Sequence, residues 1–331
     1  MSSIILKDIA KAVGVSESTV SRALRNKPGV NPELREKIFK LAQELNYPFK
    51  LPTKEPSYKR IGIIVPDLSN PFFATVIYGI KSVLSSTGYL LYIINTDEDS
   101  EAEEINLQSL IDDQVEGIIT APTGDSVHFY EQLNSNLPLV FFDRILKIEG
   151  TSSVAVDNQD AIFQAVRKLV NLGHKRICFI AGDVRIYTGA EREKGFHESL
   201  KLLDLKAEDC PVVYGNFKEP ESYAVTKDVL QKRQCTAIIA TSNKTTLGVL
   251  RAVKELGLKI PNDISVIGFD DQEWMQFFTP QIATIVQPAF TIGSIAANLL
   301  LQNIKGSMRK ENIIVKTQFQ ERESIAVPRR G

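Results

Sequence analysis

The sequence predicts an α/β protein in which a small all-helical head precedes a two-lobed core of doubly wound parallel sheets. Three short amphipathic segments occupy the first 45 residues, and beyond residue 60 apolar runs alternate with amphipathic segments. The two parts also differ in net charge. Residues 1–60 hold 12 Lys and Arg against 6 Asp and Glu, whereas the whole chain has a net charge of -1. A basic head on a mildly acidic body favours a polyanionic partner for the head.

With 331 residues, 43% of them hydrophobic, the chain is long enough for two or three packed domains. No stretch approaches the roughly 18 apolar residues of a membrane span, and the opening "MSSIILKDIAK" has too short an apolar run for a secretory signal, so we expect a cytoplasmic protein without a membrane partner. The cysteines at 178, 210 and 235 lack the spacing of metal ligands, which predicts reduced, buried thiols.

The head begins with a predicted helix over residues 6–13, where Leu6 and three other apolar residues share one face. Gly14 supplies the positive φ that ends a helix in a tight turn, and Ser16 can cap a second helix. The second helix buries Val20, Ala23 and Leu24. These features predict a helix-turn-helix.

A third helix follows over residues 30–45, where Asn31 caps and Pro32 takes the first helical position. The second helix leaves an open side with hydroxyls, a carboxylate and a guanidinium, formed by Glu17, Ser18, Thr19, Ser21 and Arg22. Such groups suit phosphates and the base edges of the major groove. The alternative is a helical hairpin that only packs.

The linker "NYPFKLPTKEPSYKR" contains three prolines and four basic residues and marks a domain boundary. We therefore predict a DNA-binding domain over 1–48, a hinge over 49–60 and a core over 61–331. Seven apolar runs predict the buried strands of that core, at 61–66, 89–96, 116–122, 137–143, 176–182, 236–242 and 264–270. Polar residues that follow these strands, such as Arg144 and Asp270, are expected to face a cleft between the lobes.

Catalysis has no support in the sequence. The glycines of residues 182–195 lack the Lys-Ser/Thr ending of a phosphate-binding loop, and the three histidines are not spaced as metal ligands. No nucleophile elbow with a matching His and Asp is present. We expect no enzyme activity, no cofactor and no metal.

The motifs "LKDIAKAVGVSESTVSRAL", "IGIIVPDLSNPFF", "LPLVFFDR", "REKGF" and "TIVQP" occur in an order that resembles the LacI-GalR family of bacterial repressors. The resemblance implies a core similar to sugar-binding periplasmic proteins, with lobe 1 at about 61–157 and 289–318 and lobe 2 at about 158–288 and 319–331. It also implies a homodimer, or a tetramer of two dimers, on double-stranded operator DNA.

The resemblance assigns base reading to Glu17, Ser18 and Arg22 and phosphate contacts to Thr19 and Asn26. Further DNA contacts are expected from Leu6, Ser16 and Ser21. Relatives of this family use an Ala-Arg-x-Leu hinge helix in the minor groove, but here the linker lacks it. Because prolines recur every fourth residue, we expect residues 48–59 to form an extended tether, with Leu51 as the only side chain placed to wedge between bases.

In the core, the resemblance implies an effector site in which aromatic rings stack on a sugar and polar groups bind its hydroxyls. The candidate residues are Asn70, Phe72, Phe73, Arg144, Arg192, Phe217, Ser242, Asn243, Asp270 and Gln287. For the aromatic residues the alternative is simple core packing, and for Arg192 it is a structural ion pair.

The nature of the effector is open at this point. Where many relatives have Asn-Asp, this chain reads "SNKTT", so Lys244 either favours a sugar acid or points to solvent. We expect a regulator of carbohydrate utilisation genes with a small sugar or sugar-acid effector. The alternative is control by a phosphosugar or a partner protein, as in global carbon regulators of the family.

Two other classes of protein do not fit the sequence. An exported sugar-binding protein would have no use for a DNA-binding head, and a sugar kinase would need an Asp-x-Gly-x-Thr motif that is absent.

Overall fold

The computed structural model describes residues 6–25, 27–45, 47, 59–123, 127–134, 137–306 and 310–329. The chain divides into two compact units, residues 1–58 and 59–331. The predicted fold class is confirmed. The first unit is helical, and the second contains two β-sheets with helices between their strands.

The first unit contains helices α1 (Leu6–Val13), α2 (Glu17–Leu24) and α3 (Pro32–Glu44). Their apolar faces meet in a small core that includes Ile9, Val20 and Ile38, all fully buried. The predicted caps are present. The Ser16 side chain accepts a hydrogen bond from the backbone N–H of Thr19 at 3.2 Å, and the Asn31 side chain accepts one from that of Glu33 at 2.9 Å.

The first sheet of the second unit has six strands in the order β11-β5-β4-β3-β1-β2, and every neighbouring pair is parallel. We call this sheet and its helices lobe 1. Its elements are β1 (Arg60–Val65), α4 (Pro71–Leu84), β2 (Leu90–Asn95), α5 (Ser100–Asp112), β3 (Gly117–Thr120), α6 (Val127–Asn134), β4 (Leu139–Phe142), β5 (Ser152–Val156), α12 (Ala289–Ile304) and β11 (Asn312–Val315).

The second sheet has the order β12-β10-β9-β8-β6-β7, and only the pairing of β12 with β10 is antiparallel. This sheet and its helices form lobe 2. Its elements are α7 (Asn158–Asn171), β6 (Ile177–Ala181), α8 (Tyr187–Leu202), β7 (Val212–Tyr214), α9 (Glu219–Gln231), β8 (Ala237–Ala240), α10 (Asn243–Glu255), β9 (Ser265–Phe269), α11 (Glu273–Phe277), β10 (Ala283–Val286) and β12 (Gln318–Gln320).

The chain passes between the lobes three times: after β5, between β10 and α12, and between β11 and β12. The cysteines at 178, 210 and 235 are free and buried, as predicted. Within the described ranges, no helix is both long enough and apolar enough to cross a membrane.

Helices α4 and α12 pack at very close range through two glycines. A Cβ atom built on Gly79 would lie 2.1 Å from the backbone oxygen of Phe290, and one built on Gly293 would lie 2.0 Å from that of Val76. No side chain can occupy this space, so the two helices touch backbone to backbone. The contact sets the position of the first turn of α4, which contributes to the site described below.

We expect Gly293→Ala to lower stability by about 1–3 kcal/mol, because the added methyl group overpacks a contact that a backbone cannot relieve. Thermal unfolding of the full chain should show a melting temperature several degrees lower than that of the wild type. Thr291→Ala is the matched control, since Thr291 is exposed on the same helix. Equal melting temperatures for the two variants would contradict this account of the helix contact.

Candidate functional site

The exposed side of α2 carries a cluster of three hydroxyl groups at its amino end. Ser16 Oγ lies 2.8 Å from Ser18 Oγ and 2.8 Å from Thr19 Oγ1. Glu17, Ser18 and Arg22 are exposed, as the prediction for base reading requires. In the head itself, therefore, the hydroxyls hydrogen-bond to one another and the helix end is already capped.

The remaining DNA-contact predictions have mixed surroundings. Arg22 donates to the backbone oxygen of Pro28 at 3.0 Å, so its guanidinium is oriented by the turn before α3. Leu6 is half-buried against the core of the head, and Ser21 is half-buried. Asn26 and Leu51 lie outside the described residues, as does most of the linker. The contacts of all these residues with DNA stay predictions.

A cavity lies between the two lobes of the second unit, and we call it the inner cavity. Its lining residues are Asp67, Asn70, Phe72, Phe73, Glu98, Asp143, Arg144, Thr188, Arg192, Phe217, Ser242, Lys244, Asp270 and Gln287. The lining includes nine of the ten residues predicted for the effector, and Asn243 adjoins it through Ser242 and Lys244. The structure thus brings the predicted set together, while their contact with an effector stays a prediction.

Arg192 projects from α8 into the centre of this site and is 4% exposed. Its Nε donates to Asn158 Oδ1 at 2.8 Å, one Nη donates to the backbone oxygen of Thr241 at 2.6 Å, and the guanidinium lies 3.6 Å from the centroid of the Phe269 ring. Burial lowers the pKa of Arg192, while Asp270 and Asp143 act in the opposite direction.

Asp270 follows β9 and is 6% exposed. Burial raises the pKa of its carboxyl group to about 6, although Arg192, a hydrogen bond from Gln287 and the backbone N–H of Asn243 favour the charged form. Gln287 Nε2 donates to Asp270 Oδ1 at 2.8 Å. Nearby Asp143 is also buried, and burial raises its pKa against the effects of Arg192 and Arg144. The two carboxylates therefore share the field of one buried cation.

Arg144 follows β4 and forms a bidentate ion pair with Glu98. Its two Nη atoms donate to the two Glu98 carboxylate oxygens at 2.6 Å each, and one also donates to the backbone oxygen of Pro122 at 3.3 Å. The Arg144 side chain is 6% exposed and that of Glu98 is 35% exposed. Arg144 Nε has no hydrogen-bond partner in the described residues and lies 4.0 Å from Asp143 Oδ2.

Aromatic side chains form the apolar walls. Phe72 and Phe73 are buried and meet edge to face at 5.2 Å, and Phe73 also packs in the core of lobe 1. Phe217 is half-buried and packs closely against Gly182, where a Cβ atom would lie 2.0 Å from the ring. The Arg192 guanidinium lies 6.0 Å from the Phe217 ring centroid. The rings thus serve core packing and line the cavity at the same time.

Two contacts join the lobes across the cavity. Asn243 Nδ2 donates to Asn70 Oδ1 at 2.8 Å. Lys244 forms an ion pair with Asp67 and donates to Ser69 Oγ at 3.0 Å. From the sequence, Lys244 was expected either to favour an acidic ligand or to point to solvent. In the structure its ammonium group instead pairs with Asp67, a carboxylate of the other lobe.

Four residues of the lining were not predicted from the sequence: Asp67, Glu98, Asp143 and Thr188. Asp143 could have been predicted, since it directly precedes Arg144 at the end of a predicted strand. Backbone conformation marks the site as well. Among the described residues, nine non-glycine residues have positive φ, and four of them line the inner cavity, namely Glu98, Asp143, Phe217 and Asp270. Such backbone strain is common at ligand sites. The described residues contain no group of three His, Cys, Asp or Glu arranged to hold a metal ion.

A helix-turn-helix with a polar exposed helix, joined to a two-lobed core with a polar cavity, defines the class of ligand-responsive DNA-binding regulators. The family comparisons agree. Residues 5–48 match the model for bacterial regulatory proteins of the lacI family, and residues 166–325 match that for a periplasmic binding protein-like domain. The ribose operon repressor of Haemophilus influenzae is 30% identical over 326 residues, which cover 97% of this chain and 98% of that protein. The chain belongs to the LacI family.

Among the solved structures that match nearly the whole chain are two with bound ligands. The complex of the transcriptional regulator CelR with cellobiose has a TM-score of 0.74 and 26% identity, covering 97% of this chain and 99% of that one. The lac repressor dimer bound to operator and the anti-inducer ONPF has a TM-score of 0.74 and 25% identity, covering 98% of this chain and 100% of that one.

The raised pKa of Asp270 gives a test of the site in the isolated protein. Because the folded state binds this proton more tightly than the unfolded state, stability from Asp270 is fully present below about pH 4 and is lost as pH rises through about 6. The Asp270→Asn variant lacks this carboxyl group, so it lacks this pH-dependent contribution to stability. We expect the stability of the wild type relative to Asp270→Asn to fall by on the order of 2–3 kcal/mol between pH 4 and pH 7.

Chemical unfolding of both proteins across this pH range measures the difference. Groups far from Asp270 titrate alike in the two proteins, so their contributions cancel, and the difference reports Asp270 together with its coupling to Asp143 and Arg192. Parallel stability curves would contradict the assignment of a raised pKa to Asp270.

Proposed function

We propose that this protein is a sequence-specific repressor of carbohydrate utilisation genes whose operator affinity is set by a small polyhydroxylated effector in the inner cavity. It acts as a homodimer in the bacterial cytoplasm and catalyses no reaction. The dimeric lac repressor on its operator and the cellobiose complex of CelR support the two halves of this proposal.

For DNA, the support comes from α2. Its exposed side offers a carboxylate, a hydroxyl and a guanidinium, while its apolar side is fixed against α1 and α3. A rigid helix that presents polar side chains in this way suits the major groove. The predicted extended tether over residues 48–59 and the domain limits 1–48, 49–60 and 61–331 belong to the proposal too.

For the effector, one observation carries the proposal: the inner cavity contains buried polar atoms that lack protein partners. In the described residues, Gln287 Oε1 and Arg144 Nε have no hydrogen-bond partner, although both residues are more than nine-tenths buried. Leaving such groups unpaired costs about 1–3 kcal/mol each. A ligand that supplies hydroxyl groups between aromatic walls removes this cost, and sugars combine hydroxyl edges with apolar ring faces.

Regulation requires that the effector bind one arrangement of the lobes more tightly than another. The cavity is shared by both lobes, with Asn70 and Arg144 on lobe 1 and Arg192 and Asp270 on lobe 2. A ligand that contacts both sets therefore favours the arrangement in which the lobes are close together. Because three chain crossings join the two lobes, the free energy of binding can act on the angle between them.

The base-reading assignment predicts an altered operator preference. Truncating a side chain that contacts a base typically costs about 1–3 kcal/mol at that base pair, so a Glu17→Ala/Ser18→Ala variant should select a different consensus from a randomised operator library. Thr19→Ala should instead weaken binding to all sequences alike, since phosphates carry no sequence information. Glu36→Ala, exposed on α3, is the control. The same consensus for the double variant and the wild type would refute the assignment.

The effector assignment predicts that binding and regulation fail together. Screening neutral and acidic sugars and phosphosugars by thermal shift on the full chain identifies a ligand, because a molecule that binds only the folded state raises its melting temperature. Asp270→Ala and Arg192→Ala should abolish this shift and the ligand's effect in an operator gel shift, while operator binding without ligand stays close to wild type.

Asp112→Ala, which changes an exposed carboxylate of α5, should respond to the ligand like the wild type. An undiminished ligand response in Asp270→Ala would show that the effector binds elsewhere.

A further inference from the structure

The charged groups of the inner cavity are matched within the protein. Its described lining contains four carboxylates and three cations: Asp67, Glu98, Asp143 and Asp270 against Arg144, Arg192 and Lys244. Two cations pair directly with a carboxylate, Lys244 with Asp67 and Arg144 with Glu98, and Arg192 lies in the field of Asp270 and Asp143. An anionic ligand would enter a site with an excess of negative charge.

Glu98 uses the part of Arg144 that would recognise an anion. Two parallel hydrogen bonds from the Nη atoms, each 2.6 Å, are the geometry by which arginine binds a carboxylate or phosphate. The remaining donor, Nε, has no partner in the described residues and lies 4.0 Å from Asp143 Oδ2. A single ligand hydroxyl placed there can accept from Arg144 and donate to Asp143, which a carboxylate or phosphate oxygen cannot do.

The backbone holds Glu98 in this position. Asp97 and Glu98 both adopt positive φ, at 53° and 61°, in the loop after β2. The loop is fixed by a hydrogen bond from the Glu98 backbone N–H to the oxygen of Pro66 at 3.1 Å and by one from Asn95 Nδ2 to Asp97 Oδ1 at 2.6 Å. The carboxylate therefore needs little reorganisation to pair with Arg144, and a ligand would have to displace a preplaced group.

The buried atoms without partners require hydrogen-bond donors from the ligand. Gln287 must present Nε2 to Asp270, which leaves Oε1 as the unpaired atom. Asn243 must likewise present Nδ2 to Asn70 Oδ1, because that oxygen also accepts from the backbone N–H of Phe72, and its own Oδ1 stays unpaired. These amide orientations follow from their neighbours, so two buried acceptors remain, and of the two residues Gln287 lines the inner cavity. A ligand hydroxyl group can donate to Gln287 Oε1, whereas an ionised acid group cannot.

We propose that Glu98 is a specificity-determining residue, which occupies the anion-binding edge of Arg144 and restricts the inner cavity to uncharged polyhydroxylated ligands. Sugar acids and phosphosugars are excluded because they would displace the Glu98 carboxylate or add a charge beside it. This inference rests on the proposed function for the identity of the site, and it decides between the neutral and acidic effectors that the sequence left open.

The first experiment needs no knowledge of the effector. Glu98→Ala removes Cγ and the carboxylate but keeps the β-carbon, so the loop conformation is not strained further, and acetate then matches the atoms that were lost. We expect sodium acetate to raise the melting temperature of Glu98→Ala, with apparent binding about tenfold or more tighter than to the wild type, relative to sodium chloride at equal ionic strength. Glu101→Ala, an exposed carboxylate three residues away, is the control and should behave like the wild type.

The second experiment compares matched ligands: D-glucose with D-glucuronate and D-glucose 6-phosphate, and D-galactose with D-galacturonate. Wild type should bind a neutral member and reject its acidic partners, and the isosteric Glu98→Gln should shift this preference towards the acid by about ten- to a hundredfold. Equal acetate effects in wild type and Glu98→Ala, or a wild type that prefers an acidic member, would overturn the inference. Selective rescue by acetate with no sugar bound would instead support the pairing of Glu98 with Arg144 and count against the proposed sugar effector.

Discussion

The inner cavity depends on one buried cation. The Arg192 guanidinium ties α8 to the first turn of α7 through Asn158 and to the end of β8 through Thr241, and it stacks on Phe269 at the end of β9. A charge at 4% exposure is stable only when dipoles, an aromatic face and carboxylates replace its hydration. Asp143 and Asp270 must therefore stay close to it, and the polar character of the site follows from that requirement.

Parallel sheets explain why these groups meet. Asn70, Arg144, Ser242 and Asp270 lie far apart in sequence, yet each follows a strand of one of the two sheets and so projects from its carboxyl edge. The two edges face each other across the cavity, as doubly wound folds generally arrange their ligand sites. Local sequence at the end of a strand is thus free to specify chemistry, while the buried strands specify only the scaffold.

Much of this arrangement could be predicted from the sequence. Each of the seven apolar runs forms a strand, and six of these strands are buried, as a strand covered on both faces must be apolar along its length. The expectation of burial was wrong for β2, which lies at the edge of its sheet and is partly exposed. Five further strands, β5, β7, β10, β11 and β12, were not predicted, since they are short or carry polar residues such as Ser152 and Gln318. The pairing of Glu98 with Arg144 and of Lys244 with Asp67 could not be predicted either. Such contacts span 46 and 177 residues, and no local pattern encodes them.

The three chain crossings have a consequence for synthesis on the ribosome. Lobe 1 is built from residues at both ends of the core, because α12 packs on α4 and β11 forms the edge of its sheet. A nascent chain that has completed β5 therefore still exposes the apolar face of α4, and it stays unprotected until about 150 more residues have emerged, a delay during which aggregation competes with folding. The helical head faces no such delay, since its core closes within the first 45 residues. Head and core thus acquire their structure at opposite ends of translation.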